Sequence, residues 1–336
     1  MENYTPIFTI TPEILNLVYA IAADLERIDI IREKALTPQL RKENRIKTIH
    51  SSLWIEANSL TLEQVTAIID GKRVSGSAKD ILEVKNAIVA YDELLECSPY
   101  EEKDLLKQHG LMMKDLVENA GKYRNAGVGV FDGNVSIHVA PPHQMVPLLM
   151  AQLLDWTKNT KLPQIVKSCI FHYEFEFIHP FSDGNGRMGR MWQTLLLYQE
   201  NPVFAWLPVE NIIAHNQQEY YRAIRRSTSH NDSAIFTQFM LSAIKQATAE
   251  FKGKHRKNEL ESAGVNAGAN AGVKLSRTQG KIIALIAKDN NISQLEIAKK
   301  MKIDQSTVYR NIKKLKQLKI LERNGSDKSG NWIIKQ

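Results

Sequence analysis

The sequence predicts a mainly α protein: a large helical bundle carrying one short β-hairpin, followed by a small C-terminal domain of three helices and two short strands. Three observations carry this. Apolar residues recur with a 3.6-residue period through most of the first 255 positions. Only residues 127–142 in that region read as two short β-prone runs around a turn. Charge is also divided: the chain holds 44 Lys/Arg and 37 Asp/Glu, of which residues 277–336 hold 14 and 5. That segment is net +9 and the remainder −2, so the basic character belongs to the C-terminus alone and points to a polyanionic partner there.

At 336 residues and 43% apolar content the chain can bury one large core and a smaller second one, which predicts two domains. No charged-then-apolar leader and no apolar run near the ~18 residues of a membrane span is visible, so a soluble, cytoplasmic protein without membrane contact is expected. Cys97 and Cys169 are far apart and lack any CxxC or Cys/His cluster. They read as core thiols, neither a disulfide framework nor a zinc site.

The elements follow in order. "TPEILNLVYAIAADLERIDIIRE" places Ile14, Leu17, Val18, Ile21 and Leu25 on one helical face, with Thr11 as cap and Pro12 at the first helical position. "AKDILEVKNAIVAYDELL" and "PPHQMVPLLMAQLLDWTKN" repeat the pattern. In "GVGVFDGNVSIHVAPP" the turn residues Asp132, Gly133 and Asn134 separate the two β-prone runs, giving a hairpin that offers a binding edge. "LPQIVKSCIFHYEFEF" suits a buried helix by length, although "YEFEF" alternates like a strand. Pro180 stops it. "RMGRMWQTLLLYQE" is helical again, so Gly184, Asn185 and Gly186 are expected just before a helix N-terminus. "ESAGVNAGANAGVKLSRTQG" reads as a linker, because Gly, Asn and Ala offer little to bury.

Between the two central helices lies "IHPFSDGNGRMGR", and its composition has one chemical rationale. Backbone N–H groups of a glycine-rich turn at a helix start make an anion-binding concavity, favoured by the helix dipole. Arg187 and Arg190, three residues apart, can project to one side and grip more than one phosphate. Asp183 can hold Mg²⁺, which takes one or two carboxylates and fills its other positions with water and phosphate oxygens. His179, with an ordinary pKa near ~6.5, can accept a proton from a hydroxyl at neutral pH. Gly-Asn-Gly alone is an ordinary turn; the four chemical residues around it make it a phosphoryl- or nucleotidyl-transfer site.

"HPFSDGNGRMGR" matches at every defined position the signature HxFx(D/E)GNGRxxR, and the chain here resembles the Fic family. The resemblance extends to "GKYRNAGVGV…APP", similar to the approach to that family's hairpin flap, and to "LPVENIIAHNQQEYYRAI", similar to a downstream helical segment. It implies a Fic-type helical bundle and transfer of AMP from ATP to a Ser, Thr or Tyr hydroxyl of a target protein, with self-modification and a homodimer as further expectations. By matched position it makes His179 the general base, Asp183 the Mg²⁺ ligand and Phe181 the loop anchor. Gly184, Asn185 and Gly186 become the hole for the α- and β-phosphates, with Arg187 near the β- and Arg190 on the γ-phosphate. The Doc-like branch, which phosphorylates its target, departs from the motif where this chain keeps Gly186, so AMP transfer is favoured.

A second pattern of the family, (S/T)xxxE(G/N), marks an inhibitory helix whose glutamate pairs with the second arginine of the main motif. Ser52 to Glu56 in "SSLWIE" fits it, and Ala57 then departs from it. The resemblance makes Glu56 the inhibitory partner of Arg190, with Ser52 in support, and implies a weakly active enzyme until Glu56 is displaced; in some relatives the same glutamate supports removal of AMP. The alternative for Glu56 is a solvated surface carboxylate. Tyr220 and Tyr221 resemble the family's tyrosines near adenine, and equally suit a helix core. His138, His143 and His172 have no motif partner and are expected to be structural or exposed.

The C-terminal segment has apolar positions Ile297, Ala298, Val308, Ile312 and Leu315 suited to a helix-turn-helix core, with helices after Ser293 and near Asp304. "ILERNGSDKSGNWIIK" then alternates around Gly/Asn turns like a wing. It resembles a winged helix-turn-helix, in which Gln305, Ser306, Thr307, Tyr309 and Arg310 would face a DNA major groove and Lys313, Lys314 and Lys316 its phosphates. The alternative is a docking or dimerisation module with solvated lysines. The expected organisation is an N-terminal helical region at 1–100 with the inhibitory helix, a catalytic core at 101–255, a linker at 256–276 and the winged domain at 277–336. Two functions compete: an autoinhibited adenylyltransferase, or a DNA-binding regulator using the Fic core as a nucleotide sensor. His179 favours the enzyme, because a sensor needs no general base.

Overall fold

The computed structural model describes residues 5–35, 37–132, 135–270, 275–318, 320–324 and 330–335. The chain divides into two compact units, Met1–Ala249 and Glu250–Gln336. The first holds α1 (Pro12–Ala35), α2 (Pro38–Ile55), α3 (Leu62–Ile69), α4 (Ala78–Glu93) and α5 (Glu102–Met112). A hairpin of β1 (Gly129–Asp132) and β2 (Val135–Val139) follows, then α6 (Val146–Asn159), α7 (Gln164–Ile178), α8 (Asn185–Glu200), α9 (Val209–His215), α10 (Gln217–His230) and the first part of α11 (Ala234–Asn270), whose remainder belongs to the second unit. The fold is mainly α, as the periodicity predicts.

Local signals account for the helix starts. Thr11 caps α1 ahead of Pro12, its hydroxyl accepting from the Ile14 N–H at 3.3 Å. Thr37 and Ser77 cap α2 and α4 in the same way, and Thr61 with Gln64 forms a capping box on α3. α7 is the central helix: Cys169, Ile170, Phe171, Phe175 and Ile178 are buried, and so are Lys167, Ser168, His172, Glu174 and Glu176. Burial on every side explains why "YEFEF" alternates within a helix. α8 packs along α7, and its Met188, Met191, Trp192, Leu195 and Leu196 join the main core.

β1 and β2 pair antiparallel from Gly129 opposite Val139 to Asp132 opposite Val135, with an irregularity between Val130 and Phe131. The expected turn residues Gly133 and Asn134 lie outside the described residues. Both cysteines are buried and unpaired, and burial pushes the Cys169 thiol up to about 12. No helix among the described residues is long and apolar enough to cross a membrane.

The second unit contains α12 (Arg277–Lys288), α13 (Gln294–Met301), α14 (Gln305–Gln317) and an antiparallel pair of β3 (Leu321–Asn324) and β4 (Asn331–Ile334). Ile297, Ala298, Val308, Ile312 and Leu315 lie in its core beside Ile282, Ile286 and Trp332. The wing's turn residues Gly325, Lys328 and Ser329 lie outside the described residues. The stretch expected as a linker from 256 is helical to Asn270, as the last part of α11. Extending a formed helix avoids the nucleation cost, and each added Gly opposes it by only ~1 kcal/mol.

Candidate active site

The site is built where α7 ends and α8 begins. His179 terminates α7 in a left-handed conformation, φ 50° and ψ 63°, and Gly184 at φ 86° starts α8. The glycine run was expected wholly before that helix. Instead Gly184 is its cap and Asn185 and Gly186 are in its first turn, because Gly184 alone absorbs the positive φ. The first intrahelical bond runs from the Met188 N–H to Gly184 O at 3.0 Å. The N–H groups of Asn185, Gly186 and Arg187 therefore have no partner within the helix and form its electropositive end.

The loop between is clamped by side chains. Asn185 accepts from the Phe181 N–H and donates to Phe181 O, both at 2.8 Å. The Phe181 ring is fully buried and stacks on His109 of α5, with centroids 3.6 Å apart and planes 3° apart. His109 Nδ1 accepts from the Gly121 N–H at 2.9 Å, which leaves Nε2–H to donate to Asp183 O at 3.0 Å. Burial, opposed by the bond to Asp183, pushes this histidine down to about 4, so it is neutral at physiological pH.

His179 is partly exposed, 18% accessible. Its Nδ1 is buried and that exposure belongs to its other edge. Burial lowers its pKa below the usual histidine value, against the Glu176 carboxylate 4.0 Å from Nδ1. The ring is thus a neutral proton acceptor at pH 7. Glu176 is itself buried; burial favours its neutral form, but His172, His179 and Arg190 around it prevail and hold it below the ordinary carboxylate range.

Both arginines are buried. Arg187 donates to Asp183 Oδ1 at 3.0 Å and to Glu83 Oε1 of α4 at 3.1 Å. Glu83 Oε2 in turn accepts from Asn58 at 2.8 Å. Asp183 is half exposed, at 51%, and among the described residues only its Oδ1 is engaged, by Arg187 and by the Gly184 N–H at 2.5 Å. One accessible carboxylate beside an anion cradle fits a hydrated Mg²⁺ completed by phosphate oxygens. No cage of three or more metal-ligating side chains exists among the described residues.

Arg190 faces α2. It donates to Ser52 O at 2.9 Å, to Ser52 Oγ at 3.3 Å and to Glu56 Oε1 at 2.7 Å. Its exposure is 1%, that of Glu56 29%. Burial works against its charge, but Glu56 outweighs it and raises the pKa. The Glu56 carboxylate also lies directly against Gly186, where any Cβ would collide with Oε1. An anionic group thus already occupies the electropositive end of α8.

Glu56 sits there because α2 ends in a Schellman turn: Asn58 N–H bonds Leu53 O at 3.1 Å and Ala57 N–H bonds Trp54 O at 3.0 Å. Ala57 takes the left-handed position, φ 64°, which explains why a pattern for this helix would place Gly or Asn there.

Of the paired tyrosines, Tyr220 is buried among His172, Phe236 and Phe239, and its hydroxyl lies 3.1 Å from His172 Nε2. His172 Nδ1 in turn lies 2.7 Å from Gln193 Oε1, and the pair belongs to the core. Tyr221 is partly exposed, and burial with the nearby Glu56 pushes it up to about 12. His143 is partly exposed, and the His138 side chain lies outside the described residues. In the second unit Gln305, Ser306, Tyr309, Arg310, Lys313, Lys314 and Lys316 are exposed along α14, and Thr307 is half-buried.

Comparison with known proteins agrees with this geometry. The profile of the Fic/DOC family matches residues 99–197, and that of a winged helix-turn-helix DNA-binding family matches residues 275–324. The crystal structure of a Fic family protein from Desulfovibrio desulfuricans is 42% identical with a TM-score of 0.73, over 99% of this chain and 98% of that one. The protein adenylyltransferase Fic of Nematostella vectensis is 30% identical over 64% of this chain and 52% of its own length. A probable protein adenylyltransferase of Aquifex aeolicus is 30% identical over 50% of this chain and 52% of its own length. The chain spans about half the length of these curated relatives.

Proposed function

The chain belongs to the Fic family, and from that premise we propose that it is an autoinhibited protein adenylyltransferase, moving AMP from ATP to a hydroxyl of a target protein. One observation carries the reading: a neutral, accessible imidazole stands beside a helix start whose free N–H groups and two buried arginines converge on anions. In the reaction the acceptor oxygen attacks the α-phosphorus while its proton passes to Nε2 of His179. The bond from that phosphorus to the oxygen bridging to the β-phosphate breaks, and pyrophosphate leaves. Asn185, Gly186 and Arg187 supply N–H donors to the phosphates, and Arg190 takes the terminal phosphate once Glu56 has left it. Mg²⁺ held by Asp183 would neutralise charge on the leaving pyrophosphate. Two labels test this: in the Glu56→Gly protein, α-phosphate label should enter protein and γ-phosphate label should not, and His179→Ala should abolish transfer. Incorporation of the γ label would make the chain a kinase instead.

A second reading concerns the C-terminal unit, and the basic, exposed face of α14 supports it. In this reading the unit binds DNA, with Gln305, Ser306, Thr307, Tyr309 and Arg310 at the bases. Duplex affinity should fall steeply with salt, and Arg310→Ala should weaken it. Affinity that is absent at low salt would leave α14 as a protein-docking surface.

A further inference from the structure

Arg124 performs none of the chemistry above, yet its guanidinium is buried, 3% exposed. Nε–H donates to His179 O at 2.8 Å, Nη1 to Ala126 O at 2.9 Å, and Nη2 to Pro141 O at 2.5 Å and Ile178 O at 3.3 Å. Its own backbone N–H donates to Pro180 O at 2.9 Å. Every one of these partners is a carbonyl oxygen. A cation removed from water without a carboxylate partner is costly, and its presence calls for a geometric purpose.

The partners fall into two groups. Ile178 and His179 are the last carbonyls of α7, which no N–H of that helix can reach and which carry the negative end of its dipole. His179 is also a non-glycine residue in the left-handed region, φ 50°, a strained conformation that persists only where its surroundings impose it. Ala126 and Pro141 are the two feet of the β1–β2 hairpin, one before β1 and one after β2. A planar guanidinium with donors on two edges can bridge both groups at fixed spacing, which a lysine cannot.

We propose that Arg124 is a positioning residue that holds His179 in its left-handed conformation and fixes the catalytic imidazole relative to the hairpin, the edge on which an acceptor segment would lie. The proposal rests on the transferase reading. The phosphate cradle is held by other contacts, the Asn185 clamp and the Phe181 stack on His109, so Arg124 acts on the acceptor side and leaves nucleotide binding alone.

The test uses Arg124→Lys and Arg124→Gln, each added to the active Glu56→Gly protein, with three readouts: transfer rate, ATP dissociation constant by calorimetry, and the His179 imidazole NMR signals. The expected result is a loss of about 100-fold in kcat, the scale of a 1 Å misplacement, with the ATP constant within about threefold and the His179 signals displaced. A rate within threefold of the parent, an ATP constant that worsens in step with kcat, or unmoved His179 signals would overturn it. If Glu56→Gly is itself inactive, the transferase reading fails on that ground, and the NMR signals still decide whether Arg124 holds His179. Should the Gln variant not fold, the Lys variant keeps charge and length and carries the same comparison.

Discussion

Replacing Glu56 with glycine should convert a nearly silent protein into an active one. Arg190 Nη2 and Glu56 Oε1 are 2.7 Å apart, so the two charge centres stand about 4 Å from each other. At an effective dielectric constant of about 20 their attraction is roughly 4 kcal/mol. Glu56 retains 29% of its side-chain exposure, and solvent with the lost desolvation cost removes about half of that. Some 2 to 3 kcal/mol must therefore be spent before a γ-phosphate can take Arg190, a rate factor of about 30 to 150. Initial rates of α-phosphate transfer from ATP with Mg²⁺ should rise by that factor in Glu56→Gly, and by about tenfold in Glu56→Gln, which keeps shape and loses charge. The same substitution leaves buried Arg190 with Ser52 as its remaining hydrogen-bond partner among the described residues, so stability without nucleotide should fall by about 2 kcal/mol and recover as ATP is added. A Glu56→Gly rate within threefold of wild type would refute the argument, because the ion pair would then impose no barrier.

Three other outcomes are expected. Ala57→Gly should stabilise the protein by about 1 kcal/mol in urea denaturation, by relieving the left-handed alanine at φ 64°, and should leave the inhibited rate low. His109 is held down to about 4 by burial, so its contribution is intact above ~6.5 and is lost as pH falls towards 4. Between pH 7 and 4.5 wild type should lose roughly 2.5 kcal/mol more than His109→Gln, seen in denaturation at both pH values. Glu210 runs the other way: burial pushes it up to about 6 despite bonds from Thr194 and Tyr91. A raised carboxylate stabilises the fold below ~4.5, and that contribution vanishes as pH rises through 6. Glu210→Gln should gain about 2 kcal/mol at pH 7.5 and little at pH 4.5; an equal gain at both would assign it to packing instead.

Much of this was legible in the chain because it is local. Caps such as Thr11, helical periodicity and the glycine-arginine segment all lie within a few residues of what they control. The groups that hold the site were not legible, because their partners are distant in sequence. His109 contacts Asp183 across 74 residues, Glu83 holds Arg187 across 104 and Arg124 reaches His179 across 55. Arg124 does stand in "GKYRNAGVGV", on the approach to the hairpin, but nothing in that string gives it carbonyl partners at the end of α7. Glu176, three residues before His179, was within reach of a sequence argument: it is an acid on a helix too apolar to expose it. The helicity after 255 was not legible for the converse reason, since the glycines there suggest a break while α11 carries through to Asn270.

Ala57 is the point where the inhibitory pattern fails in sequence and its physics survives. What the position requires is a positive φ at the residue after the cap, so that the chain turns and the Asn58 N–H can reach Leu53 O. Glycine and asparagine adopt that conformation with least cost, which is why a pattern would specify them; alanine adopts it at ~1 kcal/mol. The Glu56 carboxylate is one residue earlier, at an unstrained φ of −94°, and its direction is set by the helix that precedes it. Ser52 lies one turn back along α2 and binds the same guanidinium. Two residues beyond Glu56, Asn58 grips Glu83, and Glu83 holds Arg187. The end of α2 is thus tied to both arginines of the cradle, to one directly and to the other through α4. The departure at position 57 weakens the turn without redirecting Glu56, and the inhibitory reading stands or falls on the carboxylate alone.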